Sequence, residues 1–241
     1  ARGGRGGGGA VGRAAARGAQ ARVRALTAAR GERGVGPRGV AIGQRDAQGV
    51  AWLRARFAGE GPLVGCLGRI VQEKGVLDLV RAFATVHAKL PTARLAVVGR
   101  GVDSDLVSQL SVDVGLDGAV EQPGWAEPAD VVNWFAAADV VVAPSWFEAQ
   151  GLSVMEAQAV GAAVVATNVV GIPDVIEDGR TGILVEPRDP DALAAAVLSL
   201  LDDPGAAAAM GQRAAEAATH RLTREASARA FESLYNRVLA R

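Results

Sequence analysis

The chain has 241 residues, 49% of them apolar, enough for a sizeable core, and its 26 basic and 26 acidic residues leave no net charge. A single cysteine, Cys66, excludes a disulfide framework and a cysteine metal cage, and a small buried hydrophobe is its expected role. No apolar run approaches the ~18–20 residues that span a bilayer, and no signal-peptide order opens the chain, so a cytoplasmic protein is expected, with a peripheral membrane role left open.

Residues 1–50 hold ten arginines against Glu32 and Asp46, about +8, leaving about −8 for residues 51–241. They also hold 14 glycines and almost no apolar periodicity. Such a segment buries too little surface to offset its ordering entropy, so a disordered low-complexity arm is predicted. Arg2-Gly-Gly and Arg5-Gly-Gly attract RNA electrostatically, but the repeat is short and nucleic acid is not the expected partner. A first residue of Ala1 rather than Met suggests a fragment.

From residue 51 to 241 apolar runs alternate with helical periodicity. Strands are predicted at 64–67, 95–98, 120, 140–143, 164–166 and 183–185, the central ones apolar throughout, as in a parallel sheet covered on both faces. Helices are predicted near 75–90, 104–115, 128–138, 152–161 and 172–178. Another starts at Asp189-Pro190, with Asp189 as N-cap, and two alanine-rich helices follow at 205–218 and 223–239. This alternation predicts a doubly wound, Rossmann-like α/β domain with helices flanking a parallel sheet, whose ligands bind beyond the carboxyl ends of the strands.

Four loops therefore carry the candidate chemistry. In Gly68-Arg-Ile-Val-Gln-Glu-Lys-Gly75, Arg69 and Lys74 can face one phosphate group, the first as a fork and the second as a point charge; the alternative is a solvated loop. Val97-Val-Gly-Arg-Gly101 imitates a dinucleotide fingerprint, with Glu121 at about the spacing of a ribose-binding acid. It lacks the third glycine, because Ser104 stands there, and it follows the second strand instead of the first. Asp103 and Asp105 imitate a metal motif, but helix capping explains them better.

The third loop, after the run 139–144, contains Glu148 and, eight residues on, Glu156. Gly151 and Leu152 stand between them where a helix opens, so unpaired N–H groups and two carboxylates surround one small volume suited to a sugar attached to a phosphate. As a hydrolase pair the same glutamates would be acid and nucleophile, which requires them to flank one bond. The fourth loop, Thr167-Asn-Val-Val-Gly171-Ile-Pro173, is a tight turn by itself. His87 and His220 have no recognisable catalytic or metal partners. Trp125, Trp134 and Trp146 suit core packing, with Trp146 also a candidate pocket wall.

Taken together, the first two loop motifs, Ala138-Asp-Val-Val-Val-Ala-Pro-Ser145, the Glu148/Glu156 pair, and Ala163-Val-Val-Ala-Thr167 with Gly171-Ile-Pro173 resemble one GT-B half. The similarity is to the C-terminal, donor-binding domain of retaining glycosyltransferases of family 4, the glycosyl transferases group 1 set, over about residues 52–241. The resemblance implies transfer of a sugar from a nucleotide-diphosphate sugar to an acceptor, with retention of configuration and no metal or other cofactor. It implies that Arg69 and Lys74 hold the diphosphate, that Glu148 meets the donor sugar, and that Glu156 binds the ribose. Gly151 and Leu152 would supply backbone N–H groups, and the loop 121–124 would lie near the base.

Ala149, Val170 and Asp174 depart from the family's usual glycine, glycine and glutamate. The resemblance implies an acceptor-binding domain before residue 52, and fifty glycine- and arginine-rich residues are not expected to form it, so a separate acceptor subunit, or a non-catalytic nucleotide-sugar-binding module or fragment, is the other reading.

Overall fold

The computed structural model describes residues 45–239. Its sheet has six parallel strands, β1 (Leu63–Leu67), β2 (Arg94–Val98), β3 (Val120–Gly124), β4 (Val140–Ala143), β5 (Val164–Thr167) and β6 (Ile183–Val185), in the order β3-β2-β1-β4-β5-β6. Eight α-helices accompany it among the described residues: α1 (Ala47–Leu53), α2 (Val76–Lys89), α3 (Ser104–Asp113), α4 (Val131–Ala137), α5 (Leu152–Ala159), α6 (Pro190–Asp202), α7 (Pro204–Arg221) and α8 (Arg224–Leu239). None is both long and apolar enough to cross a membrane by itself.

The central strands are apolar nearly throughout, with Arg94 and Thr167 only at strand ends, because both faces are covered. Val64, Leu95, Val97, Val140, Val142 and Val165 point to the face packed by α2, α3 and α6. Their alternates split between two clusters on the opposite face: Leu63, Ala96 and Val98 meet α1 and α4, and Val141, Val164 and Ala166 meet α5. Chain order reverses between β1 and β4, and there the crevice of a doubly wound sheet opens.

Each of the six predicted strands forms, but β3 runs on to Gly124 through Pro123. It is an edge strand, half exposed, where polar residues and a proline are tolerated and no apolar run marks its length. The helix predicted near 172–178 is absent. Ile176 N–H reaches the Ile172 carbonyl, but the next N–H, that of Glu177, donates to Thr181 Oγ1, and Asp178 Oδ1 accepts from Leu184 N–H. These contacts fold the segment back onto β6 instead of letting it coil.

The predicted arm lies outside the described residues up to position 44, but α1 begins inside its predicted bounds. Asp46 caps it by accepting from Gln48 and Gly49 N–H, and the Asp46 N–H donates to Asn133 Oδ1 on α4. A Cβ at Gly49 would lie 2.8 Å from Asn133 Nδ2 and 2.9 Å from Asp46 Oδ2, so a side chain there would have to displace the groups that seat the helix. A π-helical turn, Arg54–Ala58, follows, and Arg54 donates to Ala137 O and to Asp139, whose Oδ2 also accepts the Leu63 N–H.

The loops after β1 and β4 touch through Gly75. It has φ 65°, and a Cβ there would sit 1.9 Å from Pro144 O. Gly75→Ala should therefore cost more than left-handed strain alone, at least ~2 kcal/mol in urea unfolding. Gly115→Ala, also at positive φ but with nothing within 4 Å of the added Cβ, should cost less, about 1 kcal/mol.

Candidate functional site

At the carboxyl ends of β1 and β4 lies a cleft of about 360 Å³, whose walls include Arg69, Lys74, Glu148, Leu152 and Ser153, with Cys66 on the β1 side. Four of the predicted site residues thus meet in one place. The elements that bring them are short: Lys74 ends a 3-10 turn, Gln72–Lys74, and Gly75 then turns the chain into α2, while Gly151, φ 71°, turns it into α5. Neither helix has a side-chain cap on its first turn. Two helix N-termini, with their unpaired N–H groups and positive dipole ends, converge on the cleft.

Lys74 Nζ and Glu148 Oε2 are 2.5 Å apart, with side-chain exposures of 23% and 18%. Burial by itself would raise the Glu148 pKa; the hydrogen bond and charge of Lys74, helped by the Gly151 and Gln150 backbone N–H groups, outweigh it and hold the carboxyl below its ordinary range. Arg69 is arranged differently, because its guanidinium lies 2.6 Å from Glu73, four residues on, with both side chains more than half exposed. Glu73 carries no signal in the sequence beyond its spacing.

Trp146 is a clamp instead of a wall of this cleft. Its Nε1–H donates to Asp78 Oδ2 at 2.7 Å, its backbone N–H donates to Glu73 O at 2.8 Å, and the Arg188 guanidinium lies 4.3 Å from its ring centroid. The Gly-x-Pro loop supports Glu148 from behind: Gly171 N–H donates to Glu148 O, and a Cβ on Gly171 would lie 2.2 Å from Ala149 O. Val170 beside it has φ 24° and is 69% exposed, a strained backbone at a position where the family resemblance leads one to expect glycine.

The second loop's glycines serve close packing. A Cβ at Gly99 or Gly101 would fall 1.8 Å from Gly68 O or Ile70 O, so this loop lies directly against the first. Loop 121–124 belongs to β3, where Glu121 pairs with Arg56 and Gln122 Nε2 donates to Ser104 O and Ser108 Oγ. Pro123 and Trp125 border a second cavity, about 540 Å³, with Trp52, Phe57 and Trp134. Among the described residues no group of three or more His, Cys, Asp or Glu is placed to hold a metal ion.

Glu156 stands one turn further along α5 and does not line the cleft; neither does Gly151, which turns the chain instead. No hydrogen-bond or ion-pair partner reaches the Glu156 carboxylate among the described residues, and burial raises its pKa above 4.5. Ser153 on the cleft went unassigned in the sequence, although it follows Gly151 and Leu152 in the same helix opening.

A parallel sheet with its crevice at the reversal of strand order defines a doubly wound α/β protein, and two uncapped helix ends and two cations at that crevice give it a chemistry suited to an anion. The family model of the glycosyl transferases group 1 matches residues 61–203, and the chain belongs to that family. It is 36% identical over 180 residues to a D-inositol 3-phosphate glycosyltransferase of Corynebacterium kroppenstedtii, an alignment covering 72% of this chain and 40% of that protein. The chain therefore spans well under half the length of that relative. It matches the crystal structure of the C-terminal domain of a glycosyl transferase group 1 family protein, LpcC, from Francisella tularensis, with 27% identity and TM-score 0.68, over 76% of this chain and 95% of that one. HepE of Anabaena, solved in complex with UDP, shares the fold, with TM-score 0.72 and 24% identity over 80% of this chain and 56% of its own. The chain corresponds to the C-terminal half of the GT-B architecture.

The raised pKa of Glu156 has a defined sign. The fold favours its protonated form, so its penalty is absent below about 4.5, its ordinary value, and is complete once pH exceeds the raised value. Glu156→Gln should raise the melting temperature at neutral pH, on the order of 1–3 °C, and leave it unchanged below pH ~4.

Proposed function

We propose that this chain is the donor-binding half of a retaining glycosyltransferase that takes a sugar from a nucleoside-diphosphate sugar. The observation that carries the reading is the meeting of Lys74, Arg69 and two uncapped helix ends with Glu148 in one cleft. The diphosphate lies against Lys74 and Arg69, and the α5 opening at Leu152 and Ser153 adds backbone N–H groups. As the bond from sugar to phosphate breaks, negative charge grows on the departing diphosphate, and these groups are already in place to stabilise it. No separate cofactor enters this reading; the nucleotide sugar is a substrate.

Glu148 accepts from sugar hydroxyls beside the reacting carbon. Glu156, half-buried and without a partner among the described residues, accepts from the ribose diol. The acceptor is bound by a separate domain or subunit, because the cleft is formed by one sheet alone. Transfer is therefore expected only when that partner is supplied. Binding without turnover by any complete assembly would favour the second reading, a nucleotide-sugar-binding module.

Calorimetric titration of the chain with UDP, GDP, ADP and their sugars tests the proposal, and a folded sample that binds none of them overturns it. Arg69→Ala and Lys74→Ala should each weaken nucleoside diphosphate binding about tenfold or more while leaving the nucleoside nearly unaffected. Equal losses for both ligands would remove the phosphate role. Glu156→Ala should weaken ribonucleotides several-fold more than their 2′-deoxy analogues, because only the former offer the diol.

A further inference from the structure

The two cations of the cleft are held by carboxylates in contrasting ways. Arg69 and Glu73 form a pair of neighbours on one turn, and water reaches both. Lys74 and Glu148 come from different loops, 74 residues apart in the chain, and their contact is largely shielded. Solvent screens the first pair, so a ligand that takes Arg69 leaves Glu73 well hydrated. A ligand that takes Lys74 leaves a sheltered carboxylate without its cation.

Nothing else among the described residues replaces that cation. Lys74 is the sole ion-pair partner of Glu148 there, Arg69 is engaged by Glu73, and the Arg188 guanidinium is stacked on Trp146. The loop cannot easily carry Glu148 away, because its backbone carbonyl accepts the Gly171 N–H and the Trp146 beside it is tied to Asp78 and Glu73. A diphosphate on Lys74 therefore brings negative charge against a carboxylate that stays where it is. A sugar attached to that diphosphate changes the balance, because its hydroxyls are hydrogen-bond donors and return to Glu148 what the phosphate has drawn from it.

We infer that Glu148 is a specificity-determining residue that makes the cleft prefer the intact nucleoside-diphosphate sugar over the bare nucleoside diphosphate, because Glu148 and the diphosphate compete for Lys74. This rests on the donor-site reading above. The consequence for a catalytic cycle is that the same residue that helps to seat the donor helps to expel the nucleoside diphosphate after transfer.

The test is titration of the full chain and of Glu148→Gln with inorganic pyrophosphate, with UDP, GDP and ADP, and with UDP-glucose, GDP-mannose and ADP-glucose. Gln keeps the length of the side chain and an acceptor oxygen but removes the charge. It should bind pyrophosphate and the preferred nucleoside diphosphate about tenfold more tightly than the native chain does, and the sugar nucleotide no more tightly. The preference for the sugar form should then collapse. Glu73→Gln, which frees Arg69 from its exposed pair, should change pyrophosphate affinity less than about twofold.

Unchanged or weaker pyrophosphate binding by a folded Glu148→Gln protein overturns the inference while leaving donor binding standing. Tighter pyrophosphate binding with no response to any nucleotide supports competition for Lys74 but overturns the donor site, and with it the preference for the sugar form. If Glu148→Gln does not fold, Glu148→Asp, which draws the carboxylate back from Lys74 by one methylene, decides the matter. Tighter pyrophosphate binding supports competition, and unchanged or weaker binding overturns it.

Discussion

The structure depends on the close fit of two loops where the strand order reverses. Gly75 lies so near the Pro144 carbonyl that no side chain fits between them, and the Trp146 N–H reaches across to the Glu73 carbonyl. Backbone is fitted to backbone, so the side chains leaving these loops have little freedom in where they begin. Lys74 and Glu148 meet because the peptide groups beside them already do. The Gly-x-Pro loop extends the same arrangement, with Gly171 against Ala149 from the other side.

The rest of the domain makes that fit possible. Strands buried on both faces cannot shift in register without exposing apolar side chains, so the ends of β1 and β4 are held at a set spacing. Asp139 secures the opposite end of the same pair by accepting the Leu63 N–H and an Arg54 N–H, which also ties the π-helical turn after α1 to the sheet. Trp146 joins the sheet ends to the first turn of α2 through Asp78. Among the described residues, non-glycine backbone with positive φ occurs only at the surface, at Val170 and Arg188, where the loops turn without a glycine.

Electrostatics then divides the work within the cleft. Arg69 is an exposed charge whose pairing is largely screened, suited to attracting an anion, whereas Lys74 is sheltered and its pairing with Glu148 has consequences. Glu148, in the loop before α5, is held ionised by its neighbours, while Glu156, eight residues on within that helix, is pushed by burial toward its neutral form. Two carboxylates of one motif thus have opposite tendencies, which follows from what surrounds each and not from their spacing. A hydrolase pair flanking one bond is not what this arrangement provides, since only Glu148 borders the cleft.

Much of this was legible in the chain itself. Alternating apolar runs and helical periodicity placed six parallel strands and most of the helices, because a strand covered on both faces has no polar positions to disguise it. The motif order placed Arg69, Lys74, Glu148 and Leu152 on loops at one end of the sheet, since every loop that follows a parallel strand emerges on that side. The sequence could not show α1, whose Gly49 reads as part of a glycine-rich run until the contact of Asp46 with Asn133 is seen to anchor the helix start. Nor could it show that 172–178 turns back, because the Glu177 N–H goes to Thr181 Oγ1 and Asp178 accepts from the Leu184 N–H of β6, contacts that helical periodicity does not reveal. The pairing of Lys74 with Glu148, the clamp at Trp146 and the opposite tendencies of the two glutamates were decided by tertiary structure alone: each depends on distance and burial between segments far apart in the chain, which local spacing does not encode.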